Sequence, residues 1–491
     1  MILTIKNFYN KTPLFINFFF CFFPISFICG NLITNINLLF FCGLSIFYLR
    51  SKILKIKFDF ILKVIFLLFF VIFFSTSLSF VKSLYFDGYE YVNLVRLIKS
   101  IIFFRFFLMI VIIYLLSEHD VINFKYFFIT AAFSTLIVSI DVIFQSIFDF
   151  NLIGLKSYGH HNSGFFGDEL IAGGFIQNFS FYLILFFAFA YKSKFYLRFE
   201  LITFAICILG VGIIVSGNKM PFILFLLGLL LLFLLNNKLR IIIFSNLVFL
   251  FIIFIYLFSS NLLVKNSYIG MYYNVKTTIT GSLNLEKTNL EETASAAKKS
   301  ANEKSEDPYS IKNVITHFSA GQRFFVKDKS DQARLLLTAV DTWKKNKIFG
   351  NGIKSFRIEC SKFPKPEYNL AEDLHFIIIK PIVIFPKNRL CSNHPHNYYF
   401  EILTETGVVG LALTLIIAVS FLILIIRKLK FFKENNIESF FLLASSISLF
   451  LEAFPFKSTG SIFTTNNTTY IIIIASIILC HKKITEAKNF N

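Results

Sequence analysis

Residues 59–81 read DFILKVIFLLFFVIFFSTSLSFV, an almost unbroken apolar run. A helix needs about 20 mostly apolar residues to cross the hydrocarbon core of a bilayer, and this run supplies them. Similar runs recur along most of the 491-residue chain, which is 56% hydrophobic with a mean hydropathy of +0.69. The sequence therefore reads as an all-α polytopic membrane protein. Its 69 Phe residues, together with many Ile, Lys and Asn, point to an AT-rich coding sequence more than to a special aromatic function. Lys6 and Lys11 precede an apolar run with no small-residue cleavage site after it, so that run reads as a first span and not as a removed signal.

About twelve spans are expected. They lie near 13–30, 33–49, 59–81, 97–117, 125–147, 169–191, 197–216, 220–237, 240–260, 398–426, 437–454 and 467–480. The formal net charge of +19 invites a nucleic-acid reading, but position argues against it. Arg50, Lys52, Lys55 and Lys57, then Lys192, Lys194 and Arg198, then Lys238 and Arg240, then Arg427, Lys428, Lys430 and Lys433, and finally Lys482, Lys483 and Lys488 all fall on one side of the alternating topology. That asymmetry is the positive-inside signature; a nucleic-acid groove would gather its charge on one soluble domain. Both termini are then cytoplasmic, and residues 261–397 lie on the outer side. The organisation expected is an N-terminal bundle over 1–260 with about nine spans, an external loop domain over 261–397, and C-terminal helices with a cytoplasmic tail over 398–491.

The loop is not uniform. Residues 276–313 are charged and rich in Ala, Ser, Glu and Lys without an apolar stripe, so they read as a mobile linker or a solvated helix. Over 331–346, Leu336, Val340 and Trp343 recur at helical spacing and make an apolar face, with Arg334, Thr338, Asp341 and Lys345 opposite. Gly350 and Gly352 end that helix. No internal repeat is visible.

Cys391-Ser392-Asn393-His394-Pro395-His396-Asn397 closes the loop directly before a hydrophobic span. An imidazole at a membrane surface exchanges a proton near neutral pH. Asn397, Glu401, Thr404 and Glu405 share roughly one helical face, and carboxylates at the mouth of a span are costly unless solvated, paired or functional. Gly407 and Gly410 would let a neighbouring helix approach closely. From these residues alone, a capped helix start with surface histidines stays open. A metal site on His394 and His396 lacks ligands, because two histidines are too few.

His396-Asn397, nine residues, then Gly407-x-x-Gly410 resembles the signature of the O-antigen ligase and O-antigen polymerase superfamily of membrane glycan transferases. Arg334, Trp343, Gly350, Gly352 and Phe356 are similar to the block that usually precedes it, and Ser216-Gly217-Asn218-Lys219 looks like the family's Ser-Arg turn. Gly164 to Leu170 and Phe454-Pro455…Gly460-Ser461 are weaker matches. The resemblance covers about 170–480. It implies a multi-span glycosyltransferase of the C type, with about twelve transmembrane helices and a large periplasmic helical loop. The implied substrate is a glycan on undecaprenyl diphosphate, passed to lipid A–core or to another hydroxyl acceptor. His396 would help to activate that hydroxyl, basic residues would hold the diphosphate, and no metal, cofactor, nucleotide sugar or nucleic acid is expected.

The residues suit that chemistry. Attack at an anomeric carbon needs a positioned base, and fixed cations stabilise a departing diphosphate. Arg334 offers a planar, permanently charged fork. Lys219 lies on the side where the charge rule disfavours basic residues, although a lysine snorkelling from a helix end would look the same. Arginine is usual at this position, and lysine cannot make the same bidentate contact. Asn397 is assigned as a hydrogen-bond partner orienting the histidine region, and Glu401 as a group that tunes His396. Arg323 and Lys457 are further candidate phosphate ligands.

Of seven cysteines, Cys21, Cys29, Cys42, Cys207 and Cys480 lie in or beside spans and read as small apolar packers. Cys360 and Cys391 lie in the external loop, where an oxidising compartment permits a disulfide; two free thiols are the alternative. Arg105 and Asp141, ionisable residues inside spans, support a rival class, a flippase or transporter of lipid-linked glycans. Transporters, however, usually place their site between repeated halves. A structural or sensory membrane protein is a third class.

Overall fold

The computed structural model describes residues 2–86, 90–157, 161–261, 264–265, 268–269, 331–362, 389–434, 436–458 and 460–488. The apolar runs become helices because only a helix satisfies its own backbone in hydrocarbon. In chain order these are α1 (Ile2–Cys21), α2 (Phe23–Ile28), α3 (Asn31–Leu49), α4 (Phe60–Phe86), α5 (Glu90–Glu118), α6 (Phe124–Phe148), α7 (Ala172–Ala190), α8 (Phe195–Val215), α9 (Lys219–Leu235) and α10 (Arg240–Ser260). After the loop come α11 (Asp331–Lys344), α12 (Phe356–Glu359), α13 (Tyr398–Arg427), α14 (Ile437–Glu452) and α15 (Thr465–Lys488). The chain is a multi-pass, all-α membrane protein. Among the described residues, eight helices are long and apolar enough to cross a membrane, and the apolar stretches Lys219–Leu235 and Thr465–Cys480 are shorter. Length and composition thus support eight crossings where about twelve were expected. The linker expected near 276–313 lies outside the described residues.

Asparagine starts several of these helices. The side chains of Asn123, Asn397 and Asn436 accept hydrogen bonds from the backbone N–H groups of Lys125, Tyr399 and Ser439, at 3.0, 3.0 and 2.7 Å. These bonds satisfy amide donors that a helix start leaves unpaired.

The phenylalanine excess has a structural use beyond codon composition. Phe20, Phe23, Phe41, Phe127 and Phe179 are buried together with Tyr182. Ring centroids lie 5.3 Å apart for Phe20–Phe127, 5.8 Å for Phe23–Phe41 and 6.0 Å for Phe127–Tyr182. These rings join α1, α2, α3, α6 and α7, and Tyr182 bridges to Ser445 of α14 through a 3.0 Å hydroxyl contact. Cys42 and Cys480 pack as expected of buried thiols, whereas Cys29 is exposed.

The two intramembrane ions behind the transporter reading have separate partners. Arg105 donates to Thr465 Oγ1 at 3.2 Å and lies over the Phe106 ring. Asp141, fully buried, accepts from the Leu152 N–H at 2.9 Å and from Asn151 Nδ2 at 3.4 Å. It thereby fastens the turn that follows α6.

Helix α11 corrects one expectation. Its buried face is Leu335, Thr338, Ala339 and Thr342, not Leu336, Val340 and Trp343, which are half-buried. The neighbour is the reason, since it is backbone as much as side chain. Thr338 Oγ1 accepts the Leu390 N–H at 3.1 Å, and the Thr342 carbonyl accepts from Asn351 Nδ2 at 3.0 Å. Threonine meets that surface better than leucine does.

Candidate active site

Helix α13 is interrupted ten residues into its length. Gly407 has φ 68° and ψ −165°, a region essentially restricted to glycine. The break releases carbonyls above it and amides below it, and residues 347–352 pair with both. Asn351 N–H donates to the Thr404 carbonyl at 3.0 Å, and Gly352 N–H to the Glu405 carbonyl at 2.8 Å. In the other direction, Val408 and Val409 donate to the carbonyls of Lys347 and Ile348, at 3.0 and 3.3 Å. The expected helix neighbour of Gly407 is therefore a loop: a Cβ at 407 would strike the Ile348 carbonyl. A Cβ at Gly350 would stand 2.5 Å from the Glu405 carbonyl carbon, so the two glycine motifs face one another. Gly410 makes room for the Thr406 side chain of its own helix.

Two more helices close this junction. Ser75 Oγ donates to the Glu405 carbonyl at 2.7 Å, and Thr76 Oγ1 accepts from the Ile353 N–H at 3.0 Å. Arg96, 4% exposed, donates to the Ile353 carbonyl at 2.9 Å and also to the Asn351 carbonyl. Residues 346–355 are thus threaded into the bundle between α4, α5 and α13. Arg96 escaped the sequence reading because it sits one residue before the expected span at 97–117. An arginine at that boundary gave the only available signal.

The carboxylates of α13 are buried and occupied. Glu405 Oε2 accepts the Lys354 N–H at 2.7 Å. Glu401 accepts from Ser461 Oγ at 2.5 Å and from the Ile462 N–H at 2.8 Å, so it ties α13 to the turn before α15. Lys354 adopts φ 56° and is half-buried. Burial, then the charges of Arg357 and Lys99, hold its ammonium below the usual lysine range, while Glu405 and Glu401 oppose them. The charges of Arg96 and Arg357 also act on Glu405. Four cations therefore gather around the first turns of α13, and only their assembly in three dimensions reveals them.

His396 stands two residues before the first residue of α13. It is half-buried, adopts φ 54°, and its ring centroid is 4.2 Å from that of His394. Asn397 follows as the helix cap: its Oδ1 accepts from Tyr399 and Phe400, and its Nδ2 donates to the Pro455 carbonyl at 2.7 Å. The amide expected to orient the histidine region fixes the helix start that follows the histidine. Tyr398 donates to Glu452 at 2.7 Å, and Glu452 also pairs with the buried ammonium of Lys457 at 2.6 Å. Lys457, considered as a phosphate ligand, is therefore bound to a carboxylate.

The strap before His396 is held from the other side. Cys360 and Cys391 are joined by a disulfide with Cα atoms 5.5 Å apart. Around it Leu335, Ala339, Phe356 and Cys360 pack with Leu390 and Phe400. Arg334 donates to the Arg389 carbonyl at 3.1 Å, and Arg389 pairs with Asp341 at 2.5 Å. Arg334 thus meets the strap that carries His396. Lys219 starts α9 in a turn with other partners: Asn218 accepts from the Gly173 N–H at 3.2 Å and donates to the Leu170 carbonyl at 3.1 Å. Arg323 lies outside the described residues. Among those residues, no group of three or more His, Cys, Asp or Glu side chains is placed to hold a metal ion.

The start of α13 thus combines a broken helix, a capped helix start beside a histidine and a group of cations within a multi-span bundle. Residues 202–415 match the family model described as O-antigen ligase. Over that stretch, which is less than half of the 491 residues, the chain is similar to the O-antigen ligase family. The match runs from α8 into α13 and takes in Lys219, Arg334, His396 and Gly407; it is narrower than the resemblance over 170–480. No curated protein matches the chain.

Proposed function

We propose that this protein is ligase-like: it moves a glycan from undecaprenyl diphosphate to an acceptor hydroxyl, lipid A–core being the acceptor that fits the family best. The reaction runs at the periplasmic face of the inner membrane, with both termini cytoplasmic. The acceptor oxygen attacks the anomeric carbon and forms the new glycosidic bond. The bond from that carbon to the phosphate oxygen breaks, and undecaprenyl diphosphate leaves with the electron pair. The imidazole of His396 takes the hydroxyl proton.

One observation carries this reading. His396 is a non-glycine residue held in a left-handed backbone conformation, which costs on the order of 1–2 kcal/mol. It sits between a disulfide-tethered strap and a doubly anchored cap, and strain retained under such constraint is characteristic of functional positions. The cations around the first turns of α13 support the reading, because a departing diphosphate needs fixed positive charge. Lys354 and Arg357, whose charges act on Glu401, join Arg334 and Lys219 as the phosphate ligands of this reading.

The test is deletion of the gene, followed by complementation and electrophoresis of the surface glycan. Deletion is expected to leave long unattached polymer, and the wild-type chain to restore attachment. His396→Ala should reach the membrane at normal abundance and lower transfer about 10²–10⁴-fold. Normal surface glycan in that variant would overturn the assignment. Single-repeat attachment after deletion would mark a polymerase instead. Altered glycoproteins with normal lipopolysaccharide would mark a protein O-oligosaccharyltransferase. Repeats that fail to reach the outer leaflet would mark a flippase.

A further inference from the structure

The loop that pairs with broken α13 also reaches the outer surface of the bundle, and there it forms a second feature. Between the carboxyl-terminal part of α4 and residues 344–350 lies a cavity of about 430 Å³. Lys82, Lys344, Lys345 and Lys347 line it, together with the apolar pair Ile348 and Phe349. Lys344 pairs with Asp341 at 3.4 Å and Lys345 with Glu359 at 3.2 Å. Two carboxylates against four ammonium groups leave a positive surplus. Lys82 donates to Asn346 Oδ1 at 2.6 Å, which ties the helix wall to the loop wall.

The surroundings are apolar. Phe66, Phe70 and Phe74 recur every fourth residue on α4 and are 43%, 46% and 36% exposed. On a span this stripe faces acyl chains. The Phe349 ring meets Phe74 edge-on, with centroids 5.2 Å apart, and so extends the stripe onto the loop. Ile348 beside it is 62% exposed. In water these two side chains would be an unfavourable display; at a bilayer interface they would be buried. The cavity therefore joins a lane for hydrocarbon to a seat for negative charge. The basic short loops lie at the opposite end of the helices, so the positive-inside bias does not account for these lysines.

We propose that this cavity is a docking site for the headgroup of an anionic bilayer phospholipid, whose phosphate lies among Lys82, Lys344, Lys345 and Lys347 and whose acyl chain follows Phe349, Phe74 and Phe70. The bound lipid fastens the loop that threads between α4, α5 and α13. The proposal does not depend on the transfer reading, and its test involves no glycan.

The chain carries its own probe. Trp343 is the single tryptophan, and its indole N–H donates to the Lys347 carbonyl at 2.9 Å. The full chain is reconstituted in phosphatidylcholine vesicles containing an equal minor fraction of phosphatidylglycerol or phosphatidylcholine with brominated acyl chains, and tryptophan emission is recorded. Brominated phosphatidylglycerol is expected to quench Trp343 several-fold more than brominated phosphatidylcholine. That preference should fade with added salt, which screens exposed charges. A Lys82→Ala/Lys347→Ala variant should lose it while keeping its unfolding profile; if that variant does not fold, Lys347→Gln alone should weaken it. Equal quenching by the two lipids overturns the proposal, and so does a phosphatidylglycerol preference that survives the lysine substitutions.

Discussion

The junction at Gly407 and the strap at His396 are eleven positions apart and are held in opposite ways. At Gly407 a helix is broken inside the bundle, yet the groups it frees find partners in residues 347–352, and Ser75 and Arg96 secure them from two other helices. Unpaired backbone inside a membrane costs several kcal/mol per group, so the break persists only with this complete replacement. The strap at 389–397 has no regular secondary structure and is held by the α11 contacts of Arg389 and Leu390, the disulfide at Cys391 and the cap at Asn397. The first region is a scaffold that tolerates no change. The second positions one residue at the rim and leaves it reachable.

Breaking the scaffold should have the largest effect. Gly407→Ala combines a glycine-only conformation with a clash against the Ile348 carbonyl, and should cost about 3–5 kcal/mol. Thermal unfolding and yield in detergent measure this, and wild-type values for both would show that the junction is looser than its hydrogen bonds imply. The strap should respond to its tether next. Replacing Cys360 and Cys391 by Ser opens a loop closed across 31 residues, and should lower stability by about 2–4 kcal/mol. An unchanged unfolding temperature, with and without reductant, would mean that the cap and the α11 contacts of Arg389 and Leu390 hold the strap without the disulfide.

Asn397→Ala removes that cap and the bond to Pro455, for about 1–2 kcal/mol. It should lower transfer more than it lowers stability, because this helix start follows His396; a loss confined to stability would separate the two. The smallest effect belongs to the rim. Burial pushes the Glu359 carboxyl up, but the hydrogen bond and charge of Lys362, then Lys345, outweigh it and hold it below the ordinary 4.5. A depressed carboxylate contributes stability above its unfolded pKa, and that contribution fades as pH falls through the folded value. Wild type and Glu359→Gln should therefore differ by under about 1 kcal/mol near neutrality and converge in acid. A gap that widens as pH falls would contradict the sign.

Much of the architecture was legible along the chain. Helices cover the apolar runs because hydrocarbon leaves the backbone no alternative, and 59–81 becomes Phe60–Phe86. The His394 to Gly410 motif was visible because its spacing is local. The cation cluster was not. Lys354 follows Gly350 and Gly352 in the long loop and Arg96 falls just outside an expected span, and nothing in either neighbourhood announces that they meet at Glu405. The buried face of α11 was misread for a related reason: apolar periodicity assumes an apolar neighbour, and here part of the neighbour is polar loop, whose Leu390 N–H meets the Thr338 hydroxyl and whose Asn351 amide meets the Thr342 carbonyl.

The sequence by itself determined that this chain lives in a membrane, that it is helical, and where its reactive-looking histidine stands. Hydropathy and local spacing are properties of consecutive residues, so they survive without a fold. Tertiary structure alone decided that Gly407 breaks a helix, that residues 347–352 mend it, and that Arg96, Lys99, Lys354 and Arg357 share one electrostatic field. Hydrogen bonds and charges act through space between segments hundreds of residues apart, as from Ser75 to Glu405 across 330 positions, and no window along the chain contains both partners.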